Sequence, residues 1–151
     1  MSRRYPSRPV VGVGAIITRG DEVLLVRRGR EPQKGIWSVP GGVLHVGETL
    51  EEGVRREVRE EVGLDVRVVE RVEVLERILP DAAGKLEYHY ILIDYLCEPT
   101  GGTLQAADDA AEAAWVDRSD FDDYEITPGT IEVINGAFEA RDRLARAIEG
   151  G

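Results

Sequence analysis

An α/β fold is predicted from three observations. Apolar residues recur at helical spacing between residues 49 and 62, and again between 128 and 148. Valine-rich stretches at 10–18, 22–27, 65–77 and 85–98 have the length and alternation of strands. The 151 residues suffice for one ordinary domain, 1–151, with a real core and no room for a second.

In chain order, VVGVGAIIT (10–18) and EVLLVR (22–27) form two strands joined by the turn signal Gly20-Asp21. A polar loop from Gly29 to Gly35 leads to Ile36-Trp37-Ser38-Val39 and then the pair Gly41-Gly42. Thr49 is the expected N-cap of the first helix. Glu52, three residues on, completes a capping box, and Gly63 supplies a left-handed stop. Residues 65–77 form a strand, Pro80 to Gly84 a loop, and Lys85 to Glu98 the strongest strand of the second half. Pro99 to Gly102 is expected as a turn and Ala113 to Val116 as a short strand. Thr127-Pro128 has the form of an N-cap followed by proline at the first helical position. Ile131, Ile134, Phe138, Ala145 and Ile148 then give the last helix an apolar face.

Charge narrows the function. Lysine and arginine number 19 against 29 acidic residues, a net charge of -10. Nonspecific nucleic-acid or membrane-surface binding wants basic patches, so neither is expected. An anionic substrate must instead be drawn by local features, bound cations and a few arginines. Cys97 is the sole cysteine and excludes an intrachain disulfide; in an apolar strand it reads as a small buried hydrophobe. The start, MSRRYPSRP, has no apolar leader core, and no run approaches membrane-spanning length, so a cytoplasmic location is expected.

The first helix carries the chemistry. Leu50, Val54, Val58 and Val62 make one apolar ridge at about 100° per residue. Glu57 and Glu61 fall on the edge of that ridge and Glu60 one step round, so the three converge at i, i+3 and i+4. A solvated acidic helix accounts for Glu51, Glu52, Arg55 and Arg59. It does not account for carboxylates beside buried valines. Their mutual repulsion is offset most simply by a divalent cation, and hard oxygen donors suit Mg²⁺ or Mn²⁺ rather than zinc.

At this point the segment resembles the box of the Nudix hydrolases, G-x5-E-x7-R-E-U-x-E-E-x-G-U, where U is a bulky aliphatic residue. Gly42, Glu48, Arg56, Glu57, Val58, Glu60, Glu61, Gly63 and Leu64 fill every specified position in register. Trp37 and Pro40-Gly41-Gly42 resemble the family's approach to the box. The resemblance implies an α/β/α sandwich with a mixed central β-sheet. It also implies Mg²⁺- or Mn²⁺-dependent hydrolysis of a nucleoside diphosphate linked to another group. Carried over by position, Glu57, Glu60 and Glu61 are metal ligands with the Gly41 carbonyl, Arg56 orients the glutamates, and Glu48 braces the loop. The general base lies in the box or a later loop, where Asp108, Asp109 and Glu112 are candidates. Glu112, three residues before Trp115-Val116, matches an acidic position of relatives.

Substrate choice lies outside the box. Arg27 and Arg28 end a strand before it and Arg30 follows; an arginine here could clamp a phosphate. Tyr88 and Tyr90 share a strand face, and Tyr88 is the candidate to stack on a base, the alternative being simple packing. His45 and His89 show no ligand pattern. Pro80, 16 residues after Leu64, resembles a marker of ADP-ribose pyrophosphatases. The compact ADP-ribose group is the favoured resemblance, implying cleavage to AMP and ribose 5-phosphate. A house-cleaning nucleoside triphosphate pyrophosphohydrolase is the runner-up, and a catalytically silent sensing module stands behind both. By analogy with relatives, a homodimer could form through exposed valines of the 65–77 strand.

Overall fold

The computed structural model describes residues 3–31 and 33–150. Seven strands, β1 (Val10–Arg19), β2 (Glu22–Arg28), β3 (Trp37–Ser38), β4 (Gly41–Val43), β5 (Leu64–Pro80), β6 (Leu86–Gly102) and β7 (Ala110–Asp117), accompany helices α1 (Leu50–Val62) and α2 (Thr130–Gly150). The strand path runs β3-β2-β1-β6-β5, with β4 beside β1 and β7 beside β2. The sheet is mixed: β1 and β6 are parallel, whereas the β5–β6 hairpin and the β1–β2, β1–β4 and β2–β7 pairs are antiparallel.

Alternation along β1 sorts the core into two layers. Val13, Ala15 and Ile17 pack with Val54, Val58 and Val62 of α1. Ile16 joins Ile134, Ala137 and Phe138 of α2 on the other side. The helices therefore cover opposite faces, as an α/β/α sandwich requires.

One edge of β1 follows β6 from Val10 to Ile17. Its other edge pairs with β4 over Gly12–Gly14 and then with β2 at Thr18–Arg19. Between those partners the strands diverge, and a cavity opens beside Gly14.

Several elements depart from expectation. Pro99–Gly102 is not a turn but the end of β6, because β5 reaches far enough to pair Leu64 with Gly102. β4, a strand with two glycines, carries no β-propensity signal. The last helix starts at Thr130, not at Pro128. Gly129, at φ +84°, breaks the helical path, and the Thr130 N–H donates to the Thr127 carbonyl at 3.2 Å. Ala145 and Ile148 are exposed, since the last turns of α2 outrun the surface it packs on. No described helix is long and apolar enough to cross a membrane.

Candidate active site

The geometry of α1 follows from its ends and its ridge. Thr49 accepts from the Glu52 N–H at 3.1 Å, and the Glu52 carboxylate accepts from the Thr49 N–H at 3.3 Å, closing the capping box. Gly63, at φ 75°, ends the helix and donates to the Arg59 carbonyl. Burying Val54, Val58 and Val62 fixes the rotation and turns Glu57 and Glu61 onto β4. Contact there is so close that a Cβ on Gly42 would lie 2.3 Å from Glu57 Oε2, and one on Gly41 would lie 2.2 Å from the Val13 carbonyl oxygen. A side chain at Gly42 would push the Glu57 carboxylate away, and one at Gly41 would push β4 off β1. The Gly41 N–H donates to Glu61 Oε2 at 2.6 Å.

Arg56 organises the rest. It grips Glu48 through Nε at 2.5 Å and Nη2 at 2.9 Å, and Nη2 also donates to the Val43 carbonyl at 2.9 Å. Its Nη1 reaches Glu57 Oε1 at 2.7 Å and Glu60 Oε2 at 3.1 Å. The planar fork is what allows one cation to hold three carboxylates in set orientations.

Electrostatics separates the glutamates. Arg56, with help from the His45 N–H, holds the Glu48 carboxyl down to about 2. Burial raises Glu57 despite the opposing Arg56. Burial pushes Glu61 up to about 8. The Gly41 N–H and Arg28 oppose the shift, while Glu57 and Asp109 add to it. Glu61 is 6% exposed, and among the described residues it has no cation within ion-pair distance. A buried carboxylate so placed gains from a nearby positive charge, which Arg28 supplies in part.

The donor set fits a hard divalent ion. Glu57 Oε2, Glu60 Oε1 and Glu61 Oε1 carry no protein donor among the described residues, because the hydrogen bonds use the other oxygen of each. No three such groups already converge into a cage among those residues. The convergence of three carboxylates expected from the helix spacing is therefore not preformed among the described residues.

Of the three glutamates, Glu61 opens onto a cavity of about 330 Å³. Glu61, Gly41, Gly42, Arg28 and Asp109 line one part, and Val39, Leu75, Leu79, Leu92, Pro128 and Val133 make an apolar wall. Tyr90, Asp94, Arg77 and Arg3 complete the lining.

The structure gathers Arg56, Glu57, Glu60, Glu61 and Gly41 into one cluster, with Arg28 in the cavity wall. Arg27, Glu112 and Tyr88 lie outside that lining. Arg27 follows the alternation of β2 away from Arg28 and pairs with its cross-strand neighbour Glu112 at 2.6 Å. Its Nε is buried without a hydrogen-bond partner. Glu112, expected as the acid of the late loop, is thus held on the far side. Asp109 takes the cavity position, with Arg30 at 2.9 Å and Arg3 at 4.0 Å. Tyr88 is 6% exposed, and its ring stacks on Tyr90 at 6.2 Å between centroids. Tyr90 is the ring that meets the cavity. Cys97 is fully buried, with its thiol pushed up to about 12 by burial, and so is no nucleophile.

Sequence reasoning missed Arg3, Arg77 and Asp94. Of these only Asp94 left a readable signal, an acid inside the apolar run YILIDYLC.

The sequence profile of the NUDIX domain matches residues 8–135. The chain belongs to the Nudix family. Among its relatives, an ADP-ribose pyrophosphatase of Methanocaldococcus jannaschii is 39% identical over 109 residues, covering 72% of this chain and 62% of the relative. The 8-oxo-dGDP phosphatase NUDT18 of Mus musculus is 32% identical over 112 residues, covering 72% of this chain and 32% of the relative. The Nudix chain thus spans less than two thirds of either curated relative. The crystal structure of a MutT NUDIX hydrolase from Burkholderia pseudomallei superposes with a TM-score of 0.73 at 28% identity, covering 86% of this chain and 98% of that one. The fold described above is thus that of a Nudix domain.

Proposed function

We propose that the protein is a divalent-metal-dependent pyrophosphohydrolase that cleaves ADP-ribose to AMP and ribose 5-phosphate. The observation that carries this reading is that one cavity joins Glu61, the buried carboxylate of α1, to an apolar wall with an aromatic ring. A diphosphate suits the first part and a nucleoside the second. The match to the Methanocaldococcus jannaschii ADP-ribose pyrophosphatase and the intact box carboxylates support it.

Glu57, Glu60 and Glu61 would hold the ion, and the Gly41 carbonyl would be the further ligand expected from the family. Mg²⁺ or Mn²⁺ bound there would neutralise charge on the diphosphate and lower the pKa of a bound water. The chain's residues do the remaining work. Arg56 keeps the glutamates in place against their repulsion, and Arg28 faces the phosphates from the wall. Asp109, the late-loop acid inside the cavity, takes the proton of the attacking water. The oxygen of that water ends on one phosphorus, and the anhydride bond breaks to leave two phosphomonoesters.

A second reading is favoured by the likeness to NUDT18: an oxidised guanine nucleotide as substrate, on the same machinery. Initial rates with Mg²⁺ on ADP-ribose, NADH, a dinucleoside polyphosphate, dGTP, 8-oxo-dGTP and 8-oxo-dGDP, with products separated, decide between them. AMP from ADP-ribose at the highest specificity constant supports the first reading. A dominant activity on an oxidised nucleotide supports the second. A wild type inert to all of them with Mg²⁺ and Mn²⁺ points to the sensing module. A homodimer through the β5 edge, where Val74 and Ile78 are 49% and 48% exposed, is a separate proposal that sedimentation tests.

A further inference from the structure

Asp94 sits in the middle of β6 among apolar residues and is 7% exposed. Among the described residues its carboxylate makes no hydrogen bond or ion pair, yet the residue lines the cavity. Its position is set by a glycine. A Cβ on Gly14 would lie 2.2 Å from Asp94 Oδ1, so the carboxylate occupies the space that any side chain at position 14 would take. A buried carboxylate without donors is costly, and a fold that needed only packing would have an apolar residue here. Burial pushes the group up to about 6, with Arg77 opposing the shift and Glu73 adding to it.

Two distances place what Asp94 can touch. Gly41, Gly14 and Asp94 form one row across β4, β1 and β6. Two strand spacings put the Asp94 backbone roughly 10 Å from that of Gly41, whose N–H holds Glu61. Tyr90 is on the same face of β6, four residues back, roughly 13 Å away. A base on Tyr90 therefore lies farther from Asp94 than a group attached near the phosphates does. A carboxylate only accepts hydrogen bonds, and its two oxygens suit two adjacent donors.

Resting on the reading of the site as an ADP-ribose hydrolase, we infer that Asp94 is a specificity-determining residue that accepts hydrogen bonds from the vicinal hydroxyls of the ribose on the far phosphate. Gly14 is the residue that makes room for it. A substrate without that diol leaves the carboxylate buried and unpaired, which a site of this kind penalises strongly.

The test compares ADP-ribose with the ethyl ester of ADP, which has the same anhydride and no second sugar, on wild type, Asp94→Asn and Gly14→Ala. Wild type is expected to prefer ADP-ribose in kcat/KM by about 100-fold or more. Asp94→Asn should shrink that preference by about tenfold or more, through KM more than kcat, with no fall in Tm. Gly14→Ala, which displaces the carboxylate without changing it, should shrink it too. An undiminished preference in Asp94→Asn overturns the inference, as does equal loss on both substrates together with a lower Tm, the mark of a structural carboxylate. A variant that instead loses discrimination between adenine and guanine diphosphates would show that Asp94 reads a base, again overturning it. Wild type inert to both esters would remove the hydrolase reading, and this inference with it.

Discussion

The α1 face and the β6 face of the cavity are built on opposite plans. On α1 nearly every polar group is already engaged: Arg56 alone contacts Glu48, Glu57, Glu60 and the Val43 carbonyl. Glu57, Glu60 and Glu61 each have one oxygen committed to the protein and one left over. On β6, Tyr90 has Arg3 beside its hydroxyl and Tyr88 against its ring, and the Asp94 carboxylate has no hydrogen bond or ion pair among the described residues. One face is locked before substrate arrives, while the other is left for substrate to complete. Rigid placement of charge is what anhydride cleavage needs, and open donor or acceptor capacity is what discrimination needs. The comparison predicts that damage to α1 appears in kcat and damage to β6 in KM.

The largest effect is expected from Glu61→Gln, which keeps the shape and removes the charge. Turnover should fall by about 10³-fold with the fold retained, measured by AMP release and circular dichroism. The same variant has a stability signature. The Glu61 carboxyl titrates at about 8 in the folded chain against an ordinary 4.5. Between those values the unfolded chain ionises while the folded chain holds its proton, so metal-free stability falls as pH rises through that window. Denaturant midpoints at pH 5 and pH 8 should show this fall in wild type and a smaller one in Glu61→Gln. Equal slopes would show that Glu61 is not the buried acid responsible.

Arg56→Lys comes next. Lysine keeps the charge but loses the fork, so the glutamates drift and kcat should drop by about 10²-fold. Intact turnover in this variant would mean that the helix alone orients the carboxylates. Smaller again is Tyr90→Ala, which should raise KM by about tenfold with kcat little changed, the value of one stacked base. Tyr88→Ala, at a buried ring outside the cavity, should instead lower Tm and leave KM near wild type. The smallest effect is expected from Glu112→Gln, which only opens an exposed pair with Arg27 and should change kcat less than about twofold. Asp109→Asn should exceed it clearly. The reverse order would return the base to Glu112.

The two faces also differ in how much the sequence discloses. On a helix, spacing is geometry, so residues three and four apart meet on one patch whatever surrounds them. Arg56, Glu57, Glu60 and Glu61 could be placed together without a structure, and the caps at Thr49 and Gly63 marked the limits of α1. The strands at 10–18 and 22–27 were legible through their alternation. By contrast, Asp94 meets Gly14 only because β1 and β6 run parallel across 80 residues of chain, and no local pattern encodes that pairing. The difference between Tyr88 and Tyr90 is also tertiary. Both lie on one strand face, and only packing decides which ring reaches the cavity. Glu112 and Asp109 are separated by the pull of Arg27 on a neighbouring strand. The helix start expected at Pro128 failed because Gly129 adopts a left-handed turn that lets Thr127 and Thr130 meet first.

The most direct test of the account is a titration of AMP release from ADP-ribose with Mg²⁺ and Mn²⁺, run side by side on wild type and Glu61→Gln. Wild type should give saturable, metal-dependent production of AMP and ribose 5-phosphate, and the folded variant almost none. Metal-independent cleavage, or a Glu61→Gln variant that turns over as fast as wild type, would contradict it.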